Sequence, residues 1–146
     1  MKVNDEIVVK IEKLSNLGFG IAKVDGMVVF VENACPNDEL KVKITKVNKN
    51  FANAVISEIA SPSEYRTEPF CPMQKVCGAC QLQFIDYQYQ LKFKKEIVED
   101  AMRSIGNIDV EVADVVPSPE IKEYRCKVQY PIGQTKVSKK TFGGIL

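Results

Sequence analysis

The chain has 146 residues, a formal net charge of +1 and an apolar fraction of 45%, which fits one typical domain or two small ones. It contains no histidine, which excludes a Cys₂His₂ zinc finger, a Ser-His-Asp triad and a histidine general base. No apolar run is long enough to cross a membrane, and charged residues interrupt the N-terminal stretch MKVNDEIVVKIEK, so the sequence predicts a cytoplasmic protein without a secretory signal.

Five short segments rich in Val and Ile fill most of the first sixty residues or so. They read EIVVKIEKL, FGIAKV, MVVFVEN, ELKVKITKV and ANAVISEI. Asp25-Gly26 separates the second from the third and predicts a two-residue hairpin, because glycine adopts the positive φ of a type I′ turn. The pattern predicts a mainly β fold, with a five-stranded OB-like barrel over residues 1–60, since closure removes the exposed edges of so small a sheet.

Basic residues are concentrated in two stretches. Lys41, Lys43, Lys46 and Lys49 fall within ten residues that contain no acid, and the stretch from Lys122 to Lys140 contains one acidic residue, Glu123. This segregation favours a polyanionic partner, although a solvated surface is the commoner explanation of any single lysine run.

A smaller α+β module is predicted for the rest of the chain, residues 71–146, after a linker at residues 61–70, SPSEYRTEPF. Asp86 is expected to cap a helix that ends at Gly106. The apolar face expected for this helix consists of Tyr87, Leu91, Val98, Ala101, Met102 and Ile105. The segments VEVADVV and YRCKVQYPIG are predicted as strands.

Three of the five cysteines lie in the stretch CPMQKVCGACQLQF. Clustered cysteines in a reducing cytosol are more often metal ligands or catalytic groups than disulfides, and an odd total fits disulfide pairing poorly. Cys71, Cys77 and Cys80 supply one thiolate fewer than the four of a closed zinc site or an iron–sulfur cluster, so their spacing leaves both metals open. A thiol redox site at the CxxC pair is less favoured, because its usual βαβ setting is missing. Outside the cluster, Cys35 is expected to be a small buried hydrophobe.

Several of these segments resemble, in order, those of the RNA uridine C5-methyltransferases of the bacterial 23S rRNA (uracil-5-)-methyltransferase type. They are CPMQKVCGACQLQFIDYQYQLKFKK, the later SIG, and SPEIKEYRCKVQYPIG. The stretches GFGIA at residues 18–22 and VVFV at residues 28–31 resemble the family's N-terminal TRAM domain, an OB-like RNA-binding barrel.

The resemblance implies a [4Fe–4S] cluster with Cys71, Cys77 and Cys80 as three of its four ligands. The family's fourth ligand lies downstream of these segments, and Cys126, where the family usually has asparagine, is the candidate within this chain to replace it. The resemblance also implies methylation of uridine C5 in rRNA or tRNA with S-adenosylmethionine (SAM), by a C-terminal domain that this sequence lacks. We therefore expect the chain to have no activity alone, and no DNA or membrane partner is expected.

RNA contacts are expected where basic and aromatic side chains occur together, as in other OB-type barrels. Phe30 is expected in the barrel core, whereas Phe19 and Phe51 lie beside turns and are expected to be exposed. The predicted contacts are Lys23, Lys41, Lys43, Lys46 and Phe51 in the barrel and Arg125, Lys127 and Gln129 along one later strand. Two alternatives stay open: a standalone TRAM-type RNA-binding protein with a structural zinc or iron–sulfur site, and an electron-transfer protein.

Overall fold

The computed structural model describes residues 1–77, 79–124, 126–127, 132–134 and 141–143, and the side chains of all of these except residues 76, 77, 133, 134 and 141–143. Six strands of the N-terminal part form one sheet in the order β1-β5-β6-β4-β3-β2. Their bounds are β1 Glu6–Lys10, β2 Lys13–Leu14, β3 Gly20–Val24, β4 Met27–Val31, β5 Glu39–Val47 and β6 Phe51–Ser61. The mainly β, OB-like architecture is therefore confirmed, with six strands where five were predicted.

The extra strand arises because the first predicted strand bends at Ile11. The Ile11 N–H donates to the Asp38 carbonyl at 2.9 Å, and the Glu12 N–H donates to the Ile21 carbonyl at 2.8 Å. As a result β1 pairs with β5 and β2 pairs with β3, at opposite ends of the strand order. A two-residue bend thus joins the two edges of the sheet and curls it around its core.

The barrel core follows from the two-residue period of the strands. Alternate residues point inward, and the fully buried members include Val29, Val31, Leu40, Val42, Ile44 and Ala52. At the β3–β4 hairpin, Asp25 and Gly26 have φ values of 49° and 81°, as the predicted type I′ turn requires.

Beyond the barrel lie two helices, α1 Gln74–Cys77 and α2 Tyr87–Ser104, and a short antiparallel pair, β7 Ile132–Gln134 and β8 Thr141–Gly143. Asp86 caps α2 as predicted, because its carboxylate accepts hydrogen bonds from the backbone N–H groups of Gln88 and Tyr89 at 3.0 and 3.2 Å. Neither described helix is long and apolar enough to cross a membrane.

The prediction of which face of α2 is buried is wrong. Val98, Met102 and Ile105 are exposed, and the buried residue is Phe93, flanked by the partly buried Tyr89 and Ile97. Tyr89, Phe93 and Ile97 are spaced four positions apart, so they lie along one side of the helix. This side packs on a cluster that includes Leu14 and Cys35 of the barrel. The helix carries apolar residues on more than one side, and the barrel surface selects this side.

The segment VEVADVV forms no strand, contrary to its alternating pattern. Residues 107–120 have no regular secondary structure, and Val116 is 88% exposed. No described strand lies beside them to complete a ladder, which an alternating pattern needs. Half of the segment YRCKVQYPIG lies outside the described residues; Tyr124, Cys126 and Lys127 are not in a strand, and Ile132 and Gly133 begin β7.

The predicted linker carries specific contacts. β6 extends to Ser61, Ser63 is buried, and the Arg66 guanidinium binds the carboxylate of Asp38 in the barrel. The division of the chain at residues 61–70 stays a prediction.

Candidate nucleic-acid interface and cysteine loop

The outward face of β3, β4 and β6 carries three exposed or half-buried phenylalanines. Val29 and Val31 face the core, so Phe30 between them points outward. Its ring meets that of Phe51 edge to face, with centroids 5.6 Å apart and planes at 77°. With Phe19, immediately before β3, these two form what we term the aromatic surface.

Phe30 was predicted in the core, and that prediction is wrong. The run MVVFV offers no polar residue to mark its outward positions, and either set of alternate residues could face inward. Pairing with β3 and β6 fixes the choice. Phe51 is 38% exposed and Phe19 is half-buried, so the aromatic surface is open to solvent.

A tight loop positions Phe19 beside Phe30. The Phe19 N–H donates to Ser15 Oγ at 3.1 Å, the Ser15 N–H donates to the Phe19 carbonyl at 2.8 Å, and Gly18 has a φ of 82°. Loop and sheet enclose what we term the barrel pocket, a cavity of about 240 Å³. Its lining residues are Ser15, Asn16, Leu17, Phe19, Phe30, Glu32 and Asn53.

Three lysines border the aromatic surface. One row of paired residues crosses the sheet from β2 to β5. It consists of Lys13, Ile21, Phe30, Asn53 and Lys46. The next row places Lys23 opposite Val28 and Val28 opposite Phe51. All three lysines are exposed and form no ion pair within the described residues, so their charges are available to an anionic ligand.

Lys41 and Lys43 lie elsewhere, on the β1–β5 face. Lys41 Nζ is 2.8 Å from Glu6 Oε2, and this bond raises the pKa of Lys41 and lowers the pKa of Glu6. Glu58 is opposite Lys41 on β6, and Lys43 is opposite Glu6 on β1. The charges of this face are therefore largely balanced.

Backbone pairing closes the base of the cysteine loop, residues 71–80. The Thr67 N–H donates to the Phe84 carbonyl at 2.9 Å, and the Asp86 N–H donates to the Tyr65 carbonyl at 2.8 Å. Asp38, fully buried, accepts hydrogen bonds from the Cys35 N–H at 2.7 Å, from the Ser63 N–H at 2.9 Å and from the Arg66 guanidinium. A buried ion pair thus ties the base of this loop to the barrel.

Gln74 joins two of the predicted metal ligands. Its backbone N–H donates to the Cys71 carbonyl at 3.1 Å, and its side-chain amide donates to the Cys80 carbonyl at 3.3 Å and to Asn33 Oδ1 at 3.2 Å. The Cys71 N–H donates to Gln83 Oε1 at 2.9 Å. Gln74 is 6% exposed, and its Oε1 has no hydrogen-bond partner within the described residues.

The cysteine side chains offer sulfur donors of the type that zinc and iron–sulfur clusters take. Cys71 and Cys80 are half-buried, α1 ends at Cys77, and the Cys77 thiol is not among the side chains that the structure describes. No cluster of three or more candidate metal ligands forms among the side chains that the structure describes. The three-cysteine site therefore stays a prediction.

Cys35 and Cys126 differ sharply in environment. Cys35 is fully buried, as predicted, and burial raises the pKa of its thiol to about 11. Cys126 is exposed, with its Sγ 3.9 Å from the Tyr124 carbonyl. Nearby, Lys122 Nζ lies 4.6 Å from the centre of the Phe70 ring, so the segment leading to Cys126 passes beside the start of the cysteine loop.

Residues 1–56 match the family model for the TRAM domain. These residues form a TRAM domain. The chain is 39% identical over 138 residues to an uncharacterized RNA methyltransferase of Clostridium acetobutylicum, an alignment that covers 92% of this chain and 30% of that protein. It is 40% identical over 133 residues to an uncharacterized RNA methyltransferase of Listeria innocua, covering 91% and 29%. The resemblance to RNA methyltransferases is therefore confirmed, and the chain spans about three tenths of the curated relatives it matches.

Two solved structures are also similar to this chain. The tRNA (uracil-54, C5)-methyltransferase of Pyrococcus abyssi, in complex with S-adenosyl-L-homocysteine, is 30% identical, with 78% of this chain and 24% of that chain covered and a TM-score of 0.49. A conserved protein of Methanococcus maripaludis is 40% identical, with 40% of this chain and 83% of that chain covered and a TM-score of 0.38.

The predicted RNA contacts fall into three groups. Lys23, Lys46 and Phe51 lie together at the aromatic surface of the TRAM domain, and Lys41 and Lys43 lie on the β1–β5 face. In the later segment Lys127 is exposed, and Arg125 and Gln129 lie outside the described residues.

Sequence reasoning missed four polar or aromatic members of the TRAM domain surface, Lys13, Phe30, Glu32 and Asn53. Lys13, Phe30 and Asn53 belong to one row that runs across strands, and such a row appears only when the register is known, whereas Glu32 follows β4 and joins them as a lining residue of the barrel pocket. Testing both assignments of the run MVVFV would have kept Phe30 as a candidate for the outward face without deciding between the two faces.

Proposed function

We propose that this chain is the RNA-binding portion of a SAM-dependent RNA (uracil-5-)-methyltransferase that acts on rRNA or tRNA. In this proposal the TRAM domain binds single-stranded RNA at the aromatic surface and positions a target loop for a catalytic domain. The specificity for uridine C5 rests on the sequence resemblance of the cysteine stretch and of YRCKVQYPIG.

The observation that carries the proposal is the combination of aromatic rings and unpaired lysines on one face. Bases stack on aromatic side chains, and each such contact contributes about 1–3 kcal/mol, while lysines neutralise phosphates. Phe30 and Phe51 supply the rings, and Lys13, Lys23 and Lys46 border them without carboxylate partners in the described residues. OB-type barrels bind oligonucleotides on the face of their second and third strands, here β3 and β4, and on the loop before the second strand, here residues 15–19.

Replacing Phe30 and Phe51 with alanine tests this role. We expect the double variant to bind a single-stranded oligouridylate at least tenfold more weakly, because stacking of one or two bases is lost. Fluorescence anisotropy at fixed salt gives the dissociation constant. Phe70→Ala is the matched control, since Phe70 is 55% exposed but lies outside the aromatic surface, and it should leave binding unchanged. Equal losses for both variants would contradict the proposal.

We also propose that Cys71, Cys77 and Cys80 hold a [4Fe–4S] cluster, which would fasten the cysteine loop by adding metal–sulfur bonds to the hydrogen bonds of Gln74. In this proposal Cys126 is the candidate fourth ligand within the chain, because its segment passes beside Phe70. Iron and acid-labile sulfide analysis of anaerobically prepared protein tests the proposal. Iron and sulfide that fall when Cys126→Ser is introduced support it, and one zinc without sulfide favours the alternative, a standalone TRAM-type RNA-binding protein with a structural zinc site.

A further inference from the structure

An acidic residue without a partner lies at the RNA-binding surface. Glu32 follows β4 directly and faces outward like Phe30, because Val29 and Val31 between and beside them face the core. Its backbone N–H donates to the Ala54 carbonyl at 3.4 Å. Its carboxylate forms no ion pair or side-chain hydrogen bond within the described residues, and it lines the barrel pocket.

An unpaired carboxylate at this place opposes RNA binding in general. It repels phosphates and offsets part of the attraction of Lys13, Lys23 and Lys46. By contrast, Glu6 on the β1–β5 face is paired with Lys41. A specific role in recognising a ligand group would explain why Glu32 faces the pocket unpaired.

The barrel pocket has the form of a site for one base. Phe19, Phe30 and Leu17 give it apolar walls, and Asn16, Glu32 and Asn53 supply its polar groups. Leu17 is 65% exposed on the fixed loop and is free to cover a bound ring. A base held in this way would stack on phenylalanine while its edge faces the carboxylate and the amides.

The carboxylate selects among the bases because it only accepts hydrogen bonds. Guanine presents two adjacent donors, N1–H and the N2 amino group, which match the two oxygens of one carboxylate. The single donor group on the pairing edge of uracil, cytosine or adenine has at least one acceptor beside it, and that acceptor is repelled by the second carboxylate oxygen. We infer that the barrel pocket binds an unpaired guanine of the RNA, with Glu32 accepting hydrogen bonds from N1–H and N2–H, an inference that rests on the proposed RNA-binding function.

Short oligouridylates that carry one central guanine, inosine, adenine or cytosine test this inference on the full chain. Inosine keeps N1–H and lacks the N2 amino group. We expect the guanine oligonucleotide to bind about tenfold more tightly than the adenine or cytosine ones, and inosine to lose about fivefold relative to guanine. Glu32→Gln should abolish both differences and should bind the adenine and cytosine oligonucleotides no more weakly than the wild type.

Glu39→Gln is the matched control, because Glu39 is an exposed acid on β5 opposite Lys10, away from the pocket. It should keep the guanine preference. Binding of all oligonucleotides with equal affinity, or a uniform gain of affinity in Glu32→Gln, would overturn the guanine pocket and leave the proposed RNA binding intact. Failure of the wild type to bind any of them at low salt would overturn both.

Discussion

Burial between the barrel and α2 strongly changes the pKa of one side chain, Cys35. The thiol is fully buried beside Phe84, Ile85 and Phe93, and burial, more than the neighbouring Asp38 carboxylate, raises its pKa to about 11. The same cause raises the pKa of the adjacent Tyr89 to about 12. Burial therefore keeps both groups protonated in the folded protein, which makes Cys35 a poor thiolate ligand.

Stability should therefore fall at alkaline pH, in part through Cys35. The unfolded thiol loses its proton near pH 8.5 or so, and the folded thiol near pH 11, so between these values the folded state binds more protons and the free energy of unfolding decreases as pH rises. Urea unfolding at about pH 8 and about pH 10.5 measures the decrease. Cys35→Ala should make it smaller, and the control Cys126→Ala, at an exposed position, should not. Identical pH dependence in both variants would contradict this assignment.

The elements differ in how far the sequence alone predicts them. The five apolar segments, the Asp25-Gly26 turn and the Asp86 cap depend on local preferences, and they are found where predicted, except that the first segment is divided into β1 and β2 at Ile11. The outward position of Phe30, the Phe93 side of α2 and the irregular course of residues 110–116 depend on partners distant in sequence. Local patterns carry no information about those partners.

The candidate interface follows the same division. Lys23, Lys46 and Phe51 were predicted from the sequence, and their grouping with Lys13 and Asn53 required the strand register. The Asp38–Arg66 pair could not be predicted from local sequence, because the two residues are 28 positions apart and each alone has the pattern of an exposed charge.

The Asp38–Arg66 pair should be a major connection between the barrel and the base of the cysteine loop. The Arg66 side chain is 17% exposed, donates to the Asn33 carbonyl at 2.9 Å and lies 5.1 Å from the centre of the Phe84 ring. Arg66→Ala leaves a buried carboxylate without its cation, so we expect it to lower the free energy of unfolding by about 3–5 kcal/mol.

Urea unfolding of Arg66→Ala and Lys41→Ala compares a buried with an exposed pair. Lys41→Ala removes the solvent-exposed Glu6–Lys41 pair and should lower the free energy of unfolding far less than Arg66→Ala does, because solvent screens an exposed pair. If Arg66→Ala is too unstable to purify, Arg66→Lys, which keeps the charge and loses the bidentate geometry, should show a smaller loss. Small and equal losses for the buried and exposed pairs would show that the connection is unimportant for stability.

In the molecule as a whole, the loop that lines the barrel pocket contacts Leu82, just beyond the cysteine loop. The loop at residues 15–19 contributes to the barrel pocket, and a methyl group added at Gly18 would lie 3.2 Å from Leu82. Leu82 in turn packs on the cluster of Leu14, Phe84 and Phe93. The loop of the barrel pocket and the residues that follow the cysteine loop therefore contact the same apolar cluster.

The salt dependence of RNA binding by Lys46→Ala and Lys41→Ala tests the central claim most directly. Lys46 lies in the row of Phe30 and Asn53 without an ion-pair partner in the described residues, whereas Lys41 is held by Glu6. We predict that Lys46→Ala reduces the slope of log K against log salt for single-stranded RNA by about 0.7, the value for one lost phosphate contact, and that Lys41→Ala leaves the slope unchanged. An unchanged slope in Lys46→Ala, or an equal reduction in both variants, would contradict RNA binding at the aromatic surface.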